Sequence, residues 1–231
     1  MVIFARPKDY HMLYKIQQIS APVENTATWD APPWQDIPAE PLRHHMGKRP
    51  VHFPKTEVRM AYDATSVFVL FRVEDRYVRA VATGHQQSVC RDSCVEFFFT
   101  PGPDVDRGYF NLEMNCGGTI LFHFHPHSKR GTIIEIPKDR CNRIECRHSL
   151  PQFVNPEIIG PVTWTIVCRI PLDILDDYLR PVAPAPGTIW RGNFYKCADA
   201  TSHPHWLTWA PVQAPRPDFH LPLFFGTLEF E

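Results

Sequence analysis

Hydrophobic and polar positions alternate along short stretches of this chain. Val58, Met60 and Tyr62 interleave with Glu57, Arg59 and Ala61, the period of two that marks a half-buried strand. Val67, Val69, Phe71 and Val73 then form one face of a second strand, opposite Phe68, Leu70, Arg72 and Glu74. The turn residues Asp63-Ala64-Thr65-Ser66 lie between the two runs, so the pattern predicts a hairpin. A short apolar run from Val95 to Thr100 stops at Pro101-Gly102-Pro103. Tyr109 to Asn115 and Thr119 to His125 flank Gly117-Gly118, a second hairpin candidate. Trp164, Ile166, Cys168 and Ile170 alternate with Thr163, Thr165, Val167 and Arg169, and further strands are expected over 189–197 and 223–230. One short helix is expected at 172–179, between Pro171 and Pro181.

Many short strands and one short helix predict an all-β fold, an antiparallel β-sandwich of jelly-roll type. A parallel α/β sheet would need helices between the strands. The stretch from Pro22 to Pro54 reads as a long irregular connection anchored by Trp29 and Trp34. The 231 residues are read as a single domain, 1–231, with 1–20 as an N-terminal strand or arm.

Composition supports a packed core. Hydrophobic residues make up 44% and charged residues 21%, which excludes a disordered chain. Proline (24) outnumbers glycine (11), and there are 16 Phe, 7 Tyr and 6 Trp, a mixture that suits strands joined by stiff loops. The net charge of -1 supplies no field for nucleic acid or an anionic membrane, and no apolar run is long enough for a membrane-spanning helix. Met1 to Tyr10 lacks the layout of a secretory signal, so the expectation is a cytoplasmic protein or one whose leader has been trimmed. Seven cysteines cannot all pair within one chain, and no C-x-x-C occurs. Cys141 and Cys146 are close enough to bridge across a turn, but reduced thiols are expected. Oligomeric state is not legible.

The order of these pieces resembles the family 9 carbohydrate-binding modules. The resemblance rests on Ala61-Tyr62-Asp63 with Val67-Phe68-Val69 and Val73-Glu74-Asp75, and on the acidic strand Asp92-Ser93-Cys94-Val95-Glu96-Phe97-Phe98. Tyr109-Phe110-Asn111-Leu112-Glu113-Met114-Asn115 follows, with its Gly117-Gly118 turn. Later come Trp164 to Leu172, Trp190-Arg191-Gly192-Asn193-Phe194-Tyr195-Lys196, and Trp206 to Phe230 with Phe219-His220-Leu221-Pro222. The resemblance covers residues 20 to 231. It implies a sandwich that binds an oligo- or polysaccharide without chemistry, often with structural calcium, of the kind attached to glycoside hydrolases.

Sugar recognition needs a flat aromatic face for the ring and planar polar groups for its hydroxyls. Trp206 and Trp209 lie where the family has one wall of its sugar clamp; if the segment is extended they point to different faces. The other wall is a Trp shortly before the acidic strand in the clamping members. Here Gln86-Gln87-Ser88-Val89-Cys90-Arg91 contains no aromatic, and Tyr77 is the nearest substitute. Glu96 matches the acidic residue that accepts hydroxyl hydrogen bonds, or else pairs with Arg91. Asp92 caps the start of its strand or ligates calcium through oxygen. Glu113 and Asn115 share a face with Asn111 and reach a ligand or form a buried network. Arg191 and Asn193 form a fork for hydroxyls or a solvent face, and His220 is expected in the core.

Two rival readings come from other residues. His123 and His125, two apart on a strand, would lie side by side, the spacing of a strand-borne metal site. A cupin-like metalloenzyme would use them, although the Glu that should follow such a pair closely is missing. The absent aromatic wall favours instead a structural or interaction domain whose sugar site has decayed. G-x-S-x-G, P-loop and H-E-x-x-H signatures are all missing, so an enzyme is the weaker expectation.

Overall fold

The computed structural model describes residues 12–20, 27–128 and 131–231. In chain order the strands are β1 (Leu13–Gln18), β2 (Glu40–Pro41), β3 (His44–His45), β4 (Lys55–Tyr62), β5 (Ser66–Ala80), β6 (Cys94–Thr100) and β7 (Tyr109–Asn115). They continue with β8 (Ile120–His125), β9 (Ile134–Glu135), β10 (Glu145–His148), β11 (Val154–Pro171), β12 (Ile189–Cys197), β13 (Trp206–Thr208) and β14 (Gly226–Phe230).

Period-two patterning sorts these strands into two layers. One layer runs β10-β11-β5-β4 and the other β14-β12-β6-β7-β8-β9, and β1 joins them. Leu13 to Ile16 pair with β14, while Gln17 and Gln18 pair with β4, both in parallel. The sandwich is therefore mixed rather than wholly antiparallel. Alternation identifies a strand but not the direction of its neighbour. Residues 1–11 of the expected N-terminal arm lie outside the described residues; 13–18 form a strand.

The inner faces close on one core. Phe71, Phe97, Phe99, Phe110, Trp164, Trp190, Phe194 and Trp209 are fully buried there. Phe97 stacks on Phe194 at 5.2 Å and on Phe99 at 4.5 Å. Truncating one such ring typically costs about 3–5 kcal/mol. Trp29 and Trp34 do anchor the long connection, packing with Ile37, Phe68, Leu70 and Val167 on the outer side of the other layer.

Both predicted hairpins form. The turn at 63–65 is closed by Asp63 Oδ1, which accepts from the backbone N–H groups of Thr65 and Ser66. The β7–β8 turn needs Gly118: its φ is +83°, and a Cβ there would meet the His148 ring at 2.4 Å.

Two expectations fail. Residues 172–179 make a 3-10 turn, Leu172–Ile174, followed by further turns, and the α-helix is a single turn at Lys138–Cys141. The turns are closed by the Leu175, Tyr178 and Leu179 N–H groups, which donate to the Leu172 and Leu175 carbonyls, and Pro181 ends the run. The thiols are not all reduced: Cys146 and Cys168 stand opposite each other on β10 and β11 and are disulfide-bonded. Cys141 bonds instead to the Ile136 carbonyl. The pairing comes from strand register between distant segments, which spacing along the chain does not reveal.

Candidate functional site

The outer face of the β12-β6-β7-β8 layer carries the site. Directly opposed residues on antiparallel strands point to the same side. Glu96 lies opposite Tyr195 and Glu113, Phe98 opposite Asn193 and Asn111, and Cys197 opposite Cys94 and Trp206. Hence Trp206, Cys197, Glu96, Phe98 and Glu113 share one face. The strands β6 and β7 are buried along their full length, so something must cover that face. The chain after β13 does this. Phe219 stacks on Tyr195 at 4.1 Å, and His220 lies 5.0 Å from Phe98 with Nδ1 3.1 Å from the Tyr109 hydroxyl.

A hollow of about 190 Å³ remains open on this face. Cys90, Glu96, Phe98, Glu113, Cys197 and Trp206 line it from the sheet side, with Asp199 beside them. Pro217, Asp218, Phe219 and His220 line it from the returning chain. Trp206 is half-buried, and its Nε1–H donates to Asp199 Oδ1 at 2.8 Å. Its neighbour His205 faces the other way, where Nε2 accepts from Lys196 Nζ at 2.9 Å. Burial and the Lys196 charge hold that imidazole down to about 3, so it stays neutral and pins β13 in place.

The polar groups of the hollow are only half satisfied. Glu96 Oε1 accepts from the Cys197 thiol at 3.1 Å, and Glu113 Oε1 accepts from Asn111 Nδ2 at 3.0 Å. The second oxygen of each carboxyl, Oε2, is buried without a hydrogen-bond partner. Burial first, and then the facing Glu113, push Glu96 well above the ordinary carboxyl range. Burial raises Glu113 to about 7 and also raises Asp199. Burial likewise raises the Cys197 thiol, which therefore stays protonated. Two facing carboxyls in so dry a place cannot both ionise without a partner.

The remaining predicted residues go elsewhere. Trp209 is sealed in the core against Tyr14 and Phe194, with Nε1 donating to Glu40, so it is no sugar platform. Tyr77 stacks on His203 at 3.6 Å, away from the hollow. Arg91 is exposed on the turn before β6, with no ion pair to Glu96; its charge acts on Asp199. Arg191 and Asn193 do not fork toward a ligand. Arg191 donates to the Gly226 and Phe225 carbonyls, and Asn193 is buried against Ala210 through both ends of its amide. Asn115 is also spent on structure, bonding Ala82, Asp92, Gly117 and Thr119.

Asp92 fails the test for calcium. Its oxygens accept from Arg79 Nε, the Val81 and Ala82 amides and Asn115 Nδ2. A hard cation needs carboxylate oxygen facing it, and here N–H donors occupy it; Asp92 caps the start of β6. The histidine ladder does share one face. However, His125 Nε2 lies 2.8 Å from Asn111 Oδ1 with its ring stacked on Tyr109 at 4.4 Å, and His123 Nε2 is buried without a partner. Among the described residues no third ligand converges on them. Among the described residues the metal-capable group is Cys94, Glu96 and Cys197, whose donor atoms lie within 4.8 Å of one another.

Sequence reasoning missed Asp199, Asp218 and Phe219 and put His220 in the core. Period two from Glu96 would have found Phe98; nothing local marks the 217–220 segment as a wall.

No curated protein matches the chain by sequence. A crystal structure from Bacteroides uniformis, whose assignment to carbohydrate binding is provisional, superposes with a TM-score of 0.84 at 29% identity, covering 96% of this chain and 100% of that one. A family 9 carbohydrate-binding module from Caldicellulosiruptor kristjanssonii, solved with glucose, gives a TM-score of 0.64 at 12% identity over 95% of this chain and 96% of its own. The same organism's family 9 module solved with cellotriose gives 0.62 at 12% over 95% and 94%. The sequence profile of carbohydrate-binding family 9 matches residues 38–230. With the sandwich and the aromatic-and-carboxyl hollow in hand, the conclusion is that this chain belongs to carbohydrate-binding family 9.

Proposed function

We propose that this non-catalytic carbohydrate-binding domain holds the end of a saccharide chain in the hollow beside Trp206. The observation that carries the reading is the pairing of a half-buried indole with two carboxyl oxygens that have no partner. A pyranose lays its C–H face on the indole, and its hydroxyls donate to Glu96 Oε2 and Glu113 Oε2. A hollow of about 190 Å³ is far smaller than a drug-sized pocket, which suits one ring. A second hollow of about 240 Å³, lined by Tyr109, His125, Gly131, Ile133 and His220, adjoins it through His220. The next ring of an oligosaccharide would extend that way. The relatives' own ligands, glucose and cellotriose, agree with a site sized for one ring and its continuation.

The test is Trp206→Ala, followed by calorimetry and by a panel of immobilised glycans. Loss of the stacked ring is expected to weaken sugar binding about thirtyfold, from about 2 kcal/mol of buried area and stacking. The melting temperature should hold, since the indole is half-exposed. Undiminished affinity would remove the hollow from consideration.

A further inference from the structure

The charge of the hollow narrows its ligand further, on the reading that it is the sugar site. Four carboxyl groups line it: Glu96, Glu113, Asp199 and Asp218. The basic groups nearby are otherwise committed. His220 is the basic side chain among the lining residues, and its Nδ1 lies 3.1 Å from the Tyr109 hydroxyl. Lys196 projects to the opposite face of β12, where it pairs with Asp75 at 3.6 Å and donates to His205 and the Cys197 carbonyl. Arg91 is exposed and does not line the hollow.

The acidic lining alone would be a solvated patch. What distinguishes it is burial: Glu96 is 2% and Glu113 6% exposed, and each has an oxygen without a partner. Leaving a buried carboxyl oxygen unpaired is costly, and a charged donor relieves more of that cost than a hydroxyl. We propose that the hollow selects a pyranose bearing a free, protonated amine, a glucosamine-type amino sugar, over neutral and acidic sugars. The ammonium donates to Glu96 Oε2 and Glu113 Oε2 and supplies the positive partner without which the two facing carboxyls cannot both ionise. Trp206 takes the apolar face of the ring and contributes cation–π attraction when the amine lies over it. A uronate would bring a further negative charge into a hollow already lined by four acidic side chains.

The experiment is calorimetry at neutral pH with three oligosaccharides of equal length: a fully deacetylated chito-oligosaccharide, its N-acetylated form and a cello-oligosaccharide. The deacetylated ligand is expected to bind about tenfold or more tighter than either neutral one. That advantage should shrink when sodium chloride is raised from about 0.05 M to about 0.5 M, since only the charged ligand is screened. The double substitution Glu96→Gln with Glu113→Gln, checked for folding by its melting curve, should abolish the preference. Asp199→Asn, which keeps an acceptor for Trp206, should reduce it. Neutral ligands binding as tightly as the amino sugar would overturn this proposal and leave the sugar site standing. A preference that survives the double substitution would overturn it too. Failure of all three ligands to bind the folded protein would overturn both this proposal and the sugar site.

Discussion

Asp92 with Asn115, just before β6 and at the end of β7, and Glu96 with Glu113, within those two strands, are completed differently. Asp92 is 1% exposed and accepts from four donors, and the Asn115 amide is spent at both ends. Glu96 and Glu113 are nearly as buried, but each has one oxygen bonded and one left open. Both pairs are polar and buried. The first ties the end of β5 to β6 and β7. The second holds unmet hydrogen-bonding capacity at the floor of a hollow. A polar group that the fold satisfies completely serves the fold, and one that it leaves half-satisfied is available to a ligand.

This contrast predicts opposite signs for equally small changes. The largest effect belongs to Asp92→Ala, which removes the acceptor of Arg79 Nε, of the Val81 and Ala82 amides and of one Asn115 Nδ2–H together. It should cost about 3–5 kcal/mol in urea denaturation; a loss below about 1 kcal/mol would break the comparison. Glu113→Gln should do the reverse. It removes a buried charge and a like-charge neighbour, so the protein should gain about 1–2 kcal/mol at alkaline pH while sugar binding weakens. A loss of stability there would mean that the Glu113 charge is satisfied by the fold.

The pH dependence follows from the same residue. The folded protein holds the Glu113 proton up to about 7, against an ordinary 4.5. In that window the native state binds more protons than the unfolded state. Its contribution is undiminished below 4.5 and is lost as pH rises through 7. Asp75 behaves oppositely: Lys196 and His52 hold its carboxyl below its ordinary 3.8, outweighing the desolvation that would raise it. Its contribution is present above that value and lost as pH falls. The difference in urea midpoint between the native sequence and Glu113→Gln isolates this group from the other titrating side chains, and measured from pH 4.5 to 7.5 it should move steadily against the native sequence as pH rises. The smallest effect is expected from chelation. Because N–H donors fill Asp92, EDTA should leave sugar affinity and melting temperature within error, and a drop on chelation would place a structural calcium elsewhere in the fold.

Trp206 and Trp209 show how much could be read in advance. Alternation correctly separated them onto different faces, but not which face was wet. The β13–β12 pairing settles that, setting Trp206 opposite Cys197 on the outer side and leaving Trp209 packed on Phe194. The histidine ladder is similar: the period placed His123 and His125 side by side, while the Asn111 and Tyr109 contacts of His125 come from β7.

The sequence by itself determined the central parts of the longer strands, the two hairpins and the sharing of a face by Glu113 and Asn111. These follow from φ/ψ preferences and side-chain alternation within a few residues, so a local pattern carries them. Only the tertiary structure decided the parallel seating of β1, the Cys146–Cys168 bond, the wall formed by 217–220, and which carboxyl oxygens were left open. Each depends on which distant segment arrives opposite a given strand, and whether a buried polar atom is satisfied depends on every neighbour at once.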